Sequence, residues 1–354
     1  MPSFDRLPPP IYPGLALTAL APMQDVTDLF FMQVVAGYGC PDYFFTEYFR
    51  VHDTSSLDKK ILRSITENAT DRPIFAQMIG ESIPDLVRIA NRLSQYPIAG
   101  IDLNMGCPAP RIYRKNVGGG LLRDPEKINR ILGELRQAVN GRLSVKMRIG
   151  FEDTENFDRI LDLINQHDIG LLSLHGRTVK EMYHGVVHYD RIAHAVQRVN
   201  CPVLANGNIT SAAAAATVLS QTQAAGIMVG RAAIRNPWIF KQIRQQLSGQ
   251  PVDPVTLGEV RDYIERLRQT TTALTVPERA RVSYLKMYLN YIAQSVDAEG
   301  LFLHNMRLAR TESELLEVCD RALLSYPDQL FALEPYPGLV ARPSSETARE
   351  LVTH

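Results

Sequence analysis

The sequence predicts an α/β fold, a (β/α)8 barrel followed by a small all-α helical-bundle domain. Eight short apolar runs alternate with amphipathic stretches up to residue 229, the pattern of a parallel sheet wrapped by helices. Polar residues collect where these runs end, as they do at the carboxyl face of such a barrel. Beyond the segment LSGQPVDPVT (residues 247–256), the apolar residues follow helical spacing alone.

Eight candidate strands and eight candidate helices make up this prediction. The strands are Leu17–Ala21, Tyr43–Thr46, Ile74–Met78, Ile101–Asn104, Ser144–Arg148, Leu171–His175, Val203–Ala205 and Gly226–Val229. The helices between them, several beginning with Pro or with an Asp or Ser cap, are Pro84–Gln95, Pro125–Asn140, Phe157–His167, Tyr189–Val199 and Ser211–Ser220. The helices of the second domain are Leu257–Ala273, Arg279–Ser295 and Glu312–Ser325.

Four regions follow from this division. We expect a Pro-rich N-terminal extension (residues 1–14), a catalytic barrel (15–246), a helical domain (255–330) and a flexible tail (331–354). The tail lacks a pattern of apolar residues that could form a core.

Composition and charge favour a globular protein without a membrane or metal function. The 354 residues are 45% hydrophobic, and 38 Lys and Arg balance 38 Asp and Glu, so nucleic-acid binding would depend on local basic patches. Cys40, Cys107, Cys201 and Cys319 form no CxxC pair, which argues against zinc, an iron–sulfur cluster or a disulfide framework. With no signal peptide or transmembrane run, we expect a soluble cytoplasmic protein, and a monomer.

The strand ends carry the residues that could perform chemistry. In chain order they read Ala21-Pro22-Met23, Thr46-Glu47, Gln77, Asn104, Lys146 with Arg148, His175 with Arg177, Asn206-Gly207-Asn208 and Gly230-Arg231. Any one of these is ordinarily a satisfied polar residue at the edge of a loop. Seven of eight ends with a hydrogen-bonding side chain indicate a site at the barrel mouth.

Two glycine-containing turns, ANGNIT (205–210) and MVGRAA (228–233), follow the seventh and eighth strands, where many barrels bind phosphate. A single glycine more often just makes a tight turn, but two adjacent turns with Arg231 favour a phosphate site. Neither GxGxxG nor GxxxxGK[ST] occurs in the required context. Flavin mononucleotide (FMN) fits the rest of the mouth, because Gln77 can bond its pyrimidine edge and Lys146 can stabilise the reduced ring. Ala21, Pro22 and Met23 would form a ledge beside that ring.

Cys107 lies in the strand-end loop of IDLNMGCPAP (101–110), between Gly106 and Pro108. A thiol is mostly protonated at neutral pH, so Cys107 can donate a proton to a substrate bound against a flavin. The other three cysteines are interpreted as small buried hydrophobes, the usual role of this residue.

Several segments together resemble the tRNA-dihydrouridine synthase family, of the bacterial type. They are LAPMQDVTD (20–28), IDLNMGCPAPRIYRKNVGGGLL (101–122), VKMRIGF (145–151), LHGRT (174–178), PVLANGNIT (202–210) and IMVGRAAIRNPWIF (227–240), followed by RARVSYLKMYLNYI (279–292), which is similar to the family's C-terminal bundle. The sequence departs from the family at Gln24-Asp25, where Glu-Gly or Ala-Gly is usual.

The resemblance implies an FMN-binding TIM barrel that reduces a uridine in the tRNA D-loop, with NADPH or NADH as reductant. Hydride would pass from flavin N5 to uracil C6, and Cys107 would protonate C5. The resemblance assigns the uracil or flavin ring to Asn104, Lys146, His175 and Arg177, and FMN to Gln77, Asn206, Gly207, Asn208, Gly230 and Arg231 besides the ledge.

Basic residues would bind the tRNA. The candidates are Arg111, Arg114 and Lys115 beside the pocket, and Arg279, Arg281, Lys286, Arg307 and Arg310 in the helical domain. Scattered arginines ordinarily form a solvated helix face, and that reading stays open. Two other functions also remain: a dihydroorotate-dehydrogenase-like flavoprotein acting on a free pyrimidine, and a non-catalytic tRNA-binding protein or chaperone on a retained barrel.

Overall fold

Eight parallel strands close into a barrel in the computed structural model, which describes residues 7–9, 11, 14–272 and 276–341. The strands are β1 (Leu17–Leu20), β2 (Phe44–Phe45), β3 (Phe49–Arg50), β4 (Ile74–Ile79), β5 (Gly100–Met105), β6 (Leu143–Arg148), β7 (Leu171–His175), β8 (Val203–Asn206) and β9 (Gly226–Val229). The hydrogen-bonded order is β1-β9-β8-β7-β6-β5-β4-β2. Pairing of Ala19 with Tyr43 closes the ring. The predicted barrel is therefore confirmed.

The short strand β3 extends this barrel without belonging to the ring. It pairs in parallel with the last residues of β4, Phe49 with Met78 and Arg50 with Ile79. Two residues are too few to show an apolar pattern in the sequence. β3 was therefore not among the predicted strands.

Helices surround the barrel and then form the second domain. They are α1 (Leu29–Gly39), α2 (Lys59–Thr66), α3 (Ile83–Leu93), α4 (Pro110–Tyr113), α5 (Pro125–Ala138), α6 (Phe157–Gln166), α7 (Tyr189–Arg198), α8 (Ala212–Thr222), α9 (Arg231–Arg235), α10 (Ile239–Leu247), α11 (Leu257–Thr272), α12 (Glu278–Ile292), α13 (Leu301–Leu308) and α14 (Glu312–Leu323). Short 3-10 helices span Gly118–Arg123 and Ala293–Ser295. Ala273, the last residue of one predicted helix, lies outside the described residues.

The eight predicted helices appear within a few residues of their expected bounds, and the starts show why. Asp124 caps α5 by accepting a hydrogen bond from the backbone N–H of Lys127, with Pro125 as the first helical residue. Helix α1 was not predicted, because its sequence LFFMQVVAGYG has no polar face. It packs against α2, α10 and α11, which cover most of its apolar side chains.

The lower half of the barrel interior is apolar. The side chains that fill it are Leu17, Ala19, Tyr43, Phe45, Phe75, Leu171, Leu204 and Met228. Leu7 closes this end, and the hydroxyl of Tyr43 donates a 2.7 Å hydrogen bond to the carbonyl of Pro8. The described part of the expected N-terminal extension thus packs beneath the barrel, and any ligand must enter from the opposite mouth.

The chain after α14 returns to the barrel. The backbone N–H of Phe331 donates to the carbonyl of Val255, and that of Ala332 donates to Ser295. Arg235 reaches across to the carbonyl of Leu333 at 2.9 Å. Residues 331–341 of the expected tail are therefore packed, and the remainder, 342–354, lies outside the described residues.

Candidate active site at the barrel mouth

The upper half of the barrel interior is polar, because side chains at alternate strand positions point to the same face. The inward side chains there are Gln77 on β4, Asp102 and Asn104 on β5, Ser144, Lys146 and Arg148 on β6, Ser173 and His175 on β7, and Asn206 on β8. Nearly all of them are buried. A polar layer of this kind above an apolar plug forms a binding site at the carboxyl ends of the strands.

The loop after β5 holds Cys107 at the edge of this layer. Asn104 turns its Oδ1 back onto the loop, where it accepts hydrogen bonds of 3.0 Å from the backbone N–H groups of Gly106 and Cys107. The side chain of Cys107 packs beside Tyr48, Ile79 and Ile112. The predicted general acid therefore stands in a defined position at the mouth.

Cys107 is a neutral thiol in this position. Burial raises its pKa, and this effect outweighs the backbone N–H of Ala109 and the cations Arg148, Lys146 and Arg111, which lower it. The thiol is therefore protonated at neutral pH, as a proton donor must be.

The glycine run 118–120 packs directly under the Cys107 loop. The backbone N–H of Gly119 donates to the carbonyl of Cys107 at 3.2 Å. A Cβ at Gly119 would lie 2.5 Å from Cγ2 of Val179 and 2.9 Å from that same carbonyl oxygen. Only a residue without a side chain fits here, so the run supports the position of the thiol.

A cluster of cations surrounds His175. Its pKa is lowered far below the usual range, by burial first and then by Arg148, Lys146, Arg177 and Arg231. Burial also lowers the pKa of Lys146 to about 8, although Asp102 and Cys107 raise it. The imidazole is neutral, and a bound anion would relieve the repulsion among these side chains.

Three buried polar atoms on or next to β7 have no partner among the described residues. They are Oγ of Ser173, Nδ1 of His175 and Nε of Arg177. Buried polar atoms are nearly always hydrogen-bonded, so three such atoms at the end of one strand favour a polar ligand.

Gln77 lies in the buried interior of the barrel. It is fully buried, its Nε2 donates to Oδ2 of Asp102 at 2.7 Å, and its Oε1 accepts from Asn104 at 2.9 Å. One hydrogen of Nε2 remains for a ligand.

Lys146 and Asn206 are hydrogen-bonded to each other at the barrel mouth. Nζ of Lys146 donates to Oδ1 of Asn206 at 3.4 Å, and Nδ2 of Asn206 donates to the carbonyl of Met228 at 2.7 Å. The two turns predicted to bind phosphate are thus joined.

The two turns lie beside the expected ledge. Gly207 has φ +125°, in the region that favours glycine, and the next residue, Asn208, accepts a 3.2 Å hydrogen bond from Arg177. A Cβ at Gly230 would lie 3.6 Å from both Cβ of Ala21 and Sδ of Met23. These residues are therefore neighbours, with Pro22 between the two ledge side chains. The guanidinium of Arg231 lies 4.7 Å from the ring centroid of Tyr183.

Arg148 is a site residue that sequence reasoning placed only at a strand end. It is 3% exposed, and its guanidinium donates to the carbonyls of Gly106 (3.0 Å), Thr178 (2.8 Å) and Met182 (2.6 Å). A second cation two residues after Lys146 was the available signal, since both face the interior. Asp102 was also missed, because a lone carboxylate within an apolar run shows no partner in the sequence.

A buried carboxyl, Glu47, lies beside the loop after β1. It is 3% exposed, and its Oε1 has no partner among the described residues. Burial raises its pKa to about 7, opposed by Lys60 and reinforced by Asp28 and Asp25. Asp25 in that loop adopts φ +64°, in the left-handed region.

The predicted tRNA-binding residues fall into two groups. Arg111, Arg114, Lys115, Arg279 and Arg310 are exposed. Arg281 pairs with Glu312, Lys286 donates to the carbonyls of Arg307 and Ala309, and Arg307 donates to Asn290 and to the carbonyl of Val340. The cationic groups of Arg281, Lys286 and Arg307 are thus engaged within the protein, and that of Arg307 also reaches the segment after the helical domain.

The described ranges contain no group of three or more His, Cys, Asp or Glu placed to hold a metal ion. In the same part of the chain, no helix is both long and apolar enough to cross a membrane.

Comparisons with known proteins identify the family. The family model of the dihydrouridine synthases (Dus) matches residues 19–325, from β1 through α14. The chain belongs to the dihydrouridine synthase family. This confirms the resemblance drawn from the motifs around Cys107 and the two glycine turns.

Proteins similar in sequence to this chain are named as members of the same family. The chain is 31% identical over 317 residues to the tRNA-dihydrouridine(16) synthase of Ralstonia nicotianae. The match covers 86% of this chain and 95% of the Ralstonia protein. It is 34% identical over 249 residues to tRNA-dihydrouridine synthase B of Yersinia pestis, covering 69% and 77%. A solved structure, the old yellow enzyme homologue from Zymomonas mobilis, is similar with a TM-score of 0.47 and 13% identity, covering 67% of this chain and 89% of that one. That likeness is too weak to argue from.

Proposed function

We propose that this chain is a tRNA-dihydrouridine synthase that reduces a uridine in the tRNA D-loop to 5,6-dihydrouridine. The observation that carries the proposal is the thiol of Cys107, protonated because burial raises its pKa and held by Asn104 beside the cations at the barrel mouth, in a member of the dihydrouridine synthase family. A reduction of the uracil double bond needs a proton donor at one carbon, and this thiol supplies it.

The pocket fits FMN as the cofactor. Lys146, Arg148, Arg177 and Arg231 surround His175, so the pocket suits an anionic group such as a phosphate. The unpartnered atoms of Ser173, His175 and Arg177 suit a ligand with several hydrogen-bonding groups. FMN combines both properties in one molecule.

We assign the FMN contacts to the residues at the strand ends. These are Ala21, Pro22, Met23, Gln77, Lys146, His175, Asn206, Gly207, Asn208, Gly230 and Arg231. When bound, FMN reduced by NADPH or NADH would supply the hydride that adds to C6 of the uracil ring.

The protein's own part in the chemistry is positioning and proton transfer. The S–H bond of Cys107 breaks as its proton moves to C5 of the uracil, which leaves a thiolate. Arg148, Lys146 and Arg111 stabilise that thiolate, since each lowers the pKa of the thiol. Asn104, Lys146, His175 and Arg177 would contact the uracil or the flavin ring.

The tRNA would be bound mainly through its backbone, with the target base extruded into the pocket. Arg111, Arg114 and Lys115 lie exposed on and after α4, just beyond Cys107. Arg279 and Arg310 present a second basic surface on the helical domain, which we assign to residues 255–330. A cytoplasmic location and a monomeric state stay predictions.

An anaerobic redox titration tests this function. The purified protein is reconstituted with FMN and reduced with NADPH while the flavin absorbance is followed, and unmodified tRNA is then added. Reoxidation by tRNA, but not by free uridine or a quinone, is the expected result. A reduced flavin that ignores tRNA but reacts with a free pyrimidine or a quinone would favour the small-molecule flavoenzyme. A protein that does not bind FMN would overturn both enzymatic functions and favour a tRNA-binding protein.

A further inference from the structure

We propose that Asp102 is a positioning residue for Cys107, acting through the side-chain amides of Gln77 and Asn104. The carboxylate sets the direction in which both amides point, and Asn104 then holds the backbone of the Cys107 loop. The importance of this for proton transfer rests on the proposed function, whereas the positioning itself does not.

The first step of the argument is the environment of Asp102. Its carboxyl group is fully buried inside the barrel. Oδ1 accepts a 2.7 Å hydrogen bond from the hydroxyl of Ser144, and Oδ2 accepts a 2.7 Å bond from Nε2 of Gln77. Burial raises its pKa to about 6, opposed by the bonds from Ser144 and Gln77, so the group is ionised at pH 7.5.

The second step is the connection to the loop. Oε1 of Gln77 accepts a 2.9 Å hydrogen bond from Nδ2 of Asn104. Oδ1 of Asn104 accepts from the backbone N–H groups of Gly106 and Cys107, both at 3.0 Å. Four residues thus form one continuous chain of hydrogen bonds from the barrel interior to the thiol-bearing residue.

The third step is the direction of this chain. A side-chain amide can rotate by half a turn and exchange its donor and acceptor ends. A carboxylate can only accept, and a backbone N–H can only donate. Asp102 at one end and the N–H groups at the other therefore allow one arrangement of Gln77 and Asn104, the arrangement observed.

Isosteric substitutions separate the effect of hydrogen-bond direction from the effect of side-chain packing. In Asp102→Asn, the new amide can turn its oxygen to Gln77 and its nitrogen to Ser144, whose hydroxyl can also accept, so the direction survives. In Gln77→Glu, two carboxyl groups face each other across the 2.7 Å bond to Asp102. At neutral pH they share one proton, which keeps the arrangement, and at higher pH both are ionised and repel each other. In the double variant Gln77→Glu/Asp102→Asn, the amide at 102 donates to the carboxylate at 77, which still accepts from Asn104.

The test is hydrogen–deuterium exchange of the amides of residues 106 and 107 in the protein without added FMN or tRNA. Relative to the wild type at the same pH, we expect Gln77→Glu to speed their exchange by about tenfold or more once the pH is high enough to ionise both carboxyl groups, and Asp102→Asn to change it by less than about threefold. The double variant should return to within about threefold of Asp102→Asn. The rate of alkylation at Cys107, mapped by mass spectrometry, should follow the same order of variants.

A double variant that exchanges as fast as Gln77→Glu at high pH would overturn the inference, and so would Gln77→Glu with protection unchanged up to about pH 10. If Gln77→Glu yields no folded protein, recovery of folded protein on adding Asp102→Asn supports the proposal. Failure of the double variant to fold, with Asp102→Asn folded, contradicts it. The measurement needs neither cofactor nor substrate. Its outcome therefore tests the role of Asp102 independently of the proposed dihydrouridine activity.

Discussion

The hydroxyl of Tyr284, in the helical domain, donates a 2.9 Å hydrogen bond to Oδ2 of Asp28, in the barrel. Asp28 is 4% exposed, and its other oxygen caps α1 by accepting from the backbone N–H of Phe31 at 3.1 Å. A single carboxylate thus supports a barrel helix and the joint with the second domain. The loop after β1, which carries the ledge that we assign to the flavin, leads directly into this residue.

Substituting Tyr284 by Phe should weaken this joint. The change removes a hydrogen bond to a buried carboxylate, and we expect a loss of about 2 kcal/mol in the free energy of unfolding. Urea denaturation measures it. Tyr288→Phe is the matched control, because the Tyr288 hydroxyl donates to Tyr284 at 3.1 Å and not to the charged group. An equal or larger loss in the control would contradict a special role for the bond to Asp28.

Cys107→Ala should separate the reduction of the flavin from the reduction of the uridine. The variant keeps the cation cluster, so FMN binding and reduction by NADPH should be unchanged. Dihydrouridine formation should fall by about a hundredfold or more, since the proton donor is gone. Single-turnover reoxidation by tRNA and analysis of the product base measure it. Cys40→Ala is the control, and normal turnover in Cys107→Ala would rule out the general-acid role.

Arg231→Ala should loosen FMN. The substitution removes a guanidinium from the turn after β9 that we assign to the phosphate, so the Kd for FMN should rise by about tenfold or more. Flavin fluorescence titration measures it, with Arg191→Ala, an exposed arginine on α7, as the control. Equal affinities in the two variants would count against the phosphate assignment.

Gly119→Ala should displace the Cys107 loop. The added methyl group would lie 2.5 Å from Cγ2 of Val179 and 2.9 Å from the carbonyl oxygen of Cys107, so the backbone must shift. We expect turnover on tRNA to fall by about tenfold or more, with FMN affinity little changed. Gly141→Ala is the matched control, because nothing lies within 4 Å of its added Cβ. Similar turnover in both variants would show that the loop tolerates the shift.

Glu47 should make the protein less stable as the pH rises. Its pKa is raised from 4.5 to about 7 in the folded protein, so the folded state binds this proton more tightly than the unfolded state. The contribution is complete below about pH 4.5 and is lost as the pH passes about 7. The shift sets an upper limit of about 3 kcal/mol.

The measurement is the free energy of unfolding of the wild type and Glu47→Gln from pH 5 to 8. His175 and Asp102 titrate in both proteins, so the difference between the two curves isolates Glu47. The wild type should lose stability relative to the variant across this range. Parallel curves would mean that Glu47 has an ordinary pKa.

The sequence predicts those parts of the fold and site that depend on local pattern. Apolar runs located the eight barrel strands, and strand ends located Asn104, Lys146 and His175, because strand direction alone determines where those ends meet. Helix α1 escaped prediction since it is apolar on all sides. The roles of Asp102 and Lys286 depend on partners more than 20 residues away, Gln77 and Arg307, and no local pattern reports such pairs.

The guanidinium of Arg148 links the loop after β5, through Gly106, to the loop after β7, through Thr178 and Met182. One rigid, planar group cannot follow two loops in different directions. The wall that carries the thiol and the wall that carries Tyr183 are therefore tied to each other through one buried side chain. In the proposed function, a nucleotide that contacts either wall would therefore bear on both loops through Arg148.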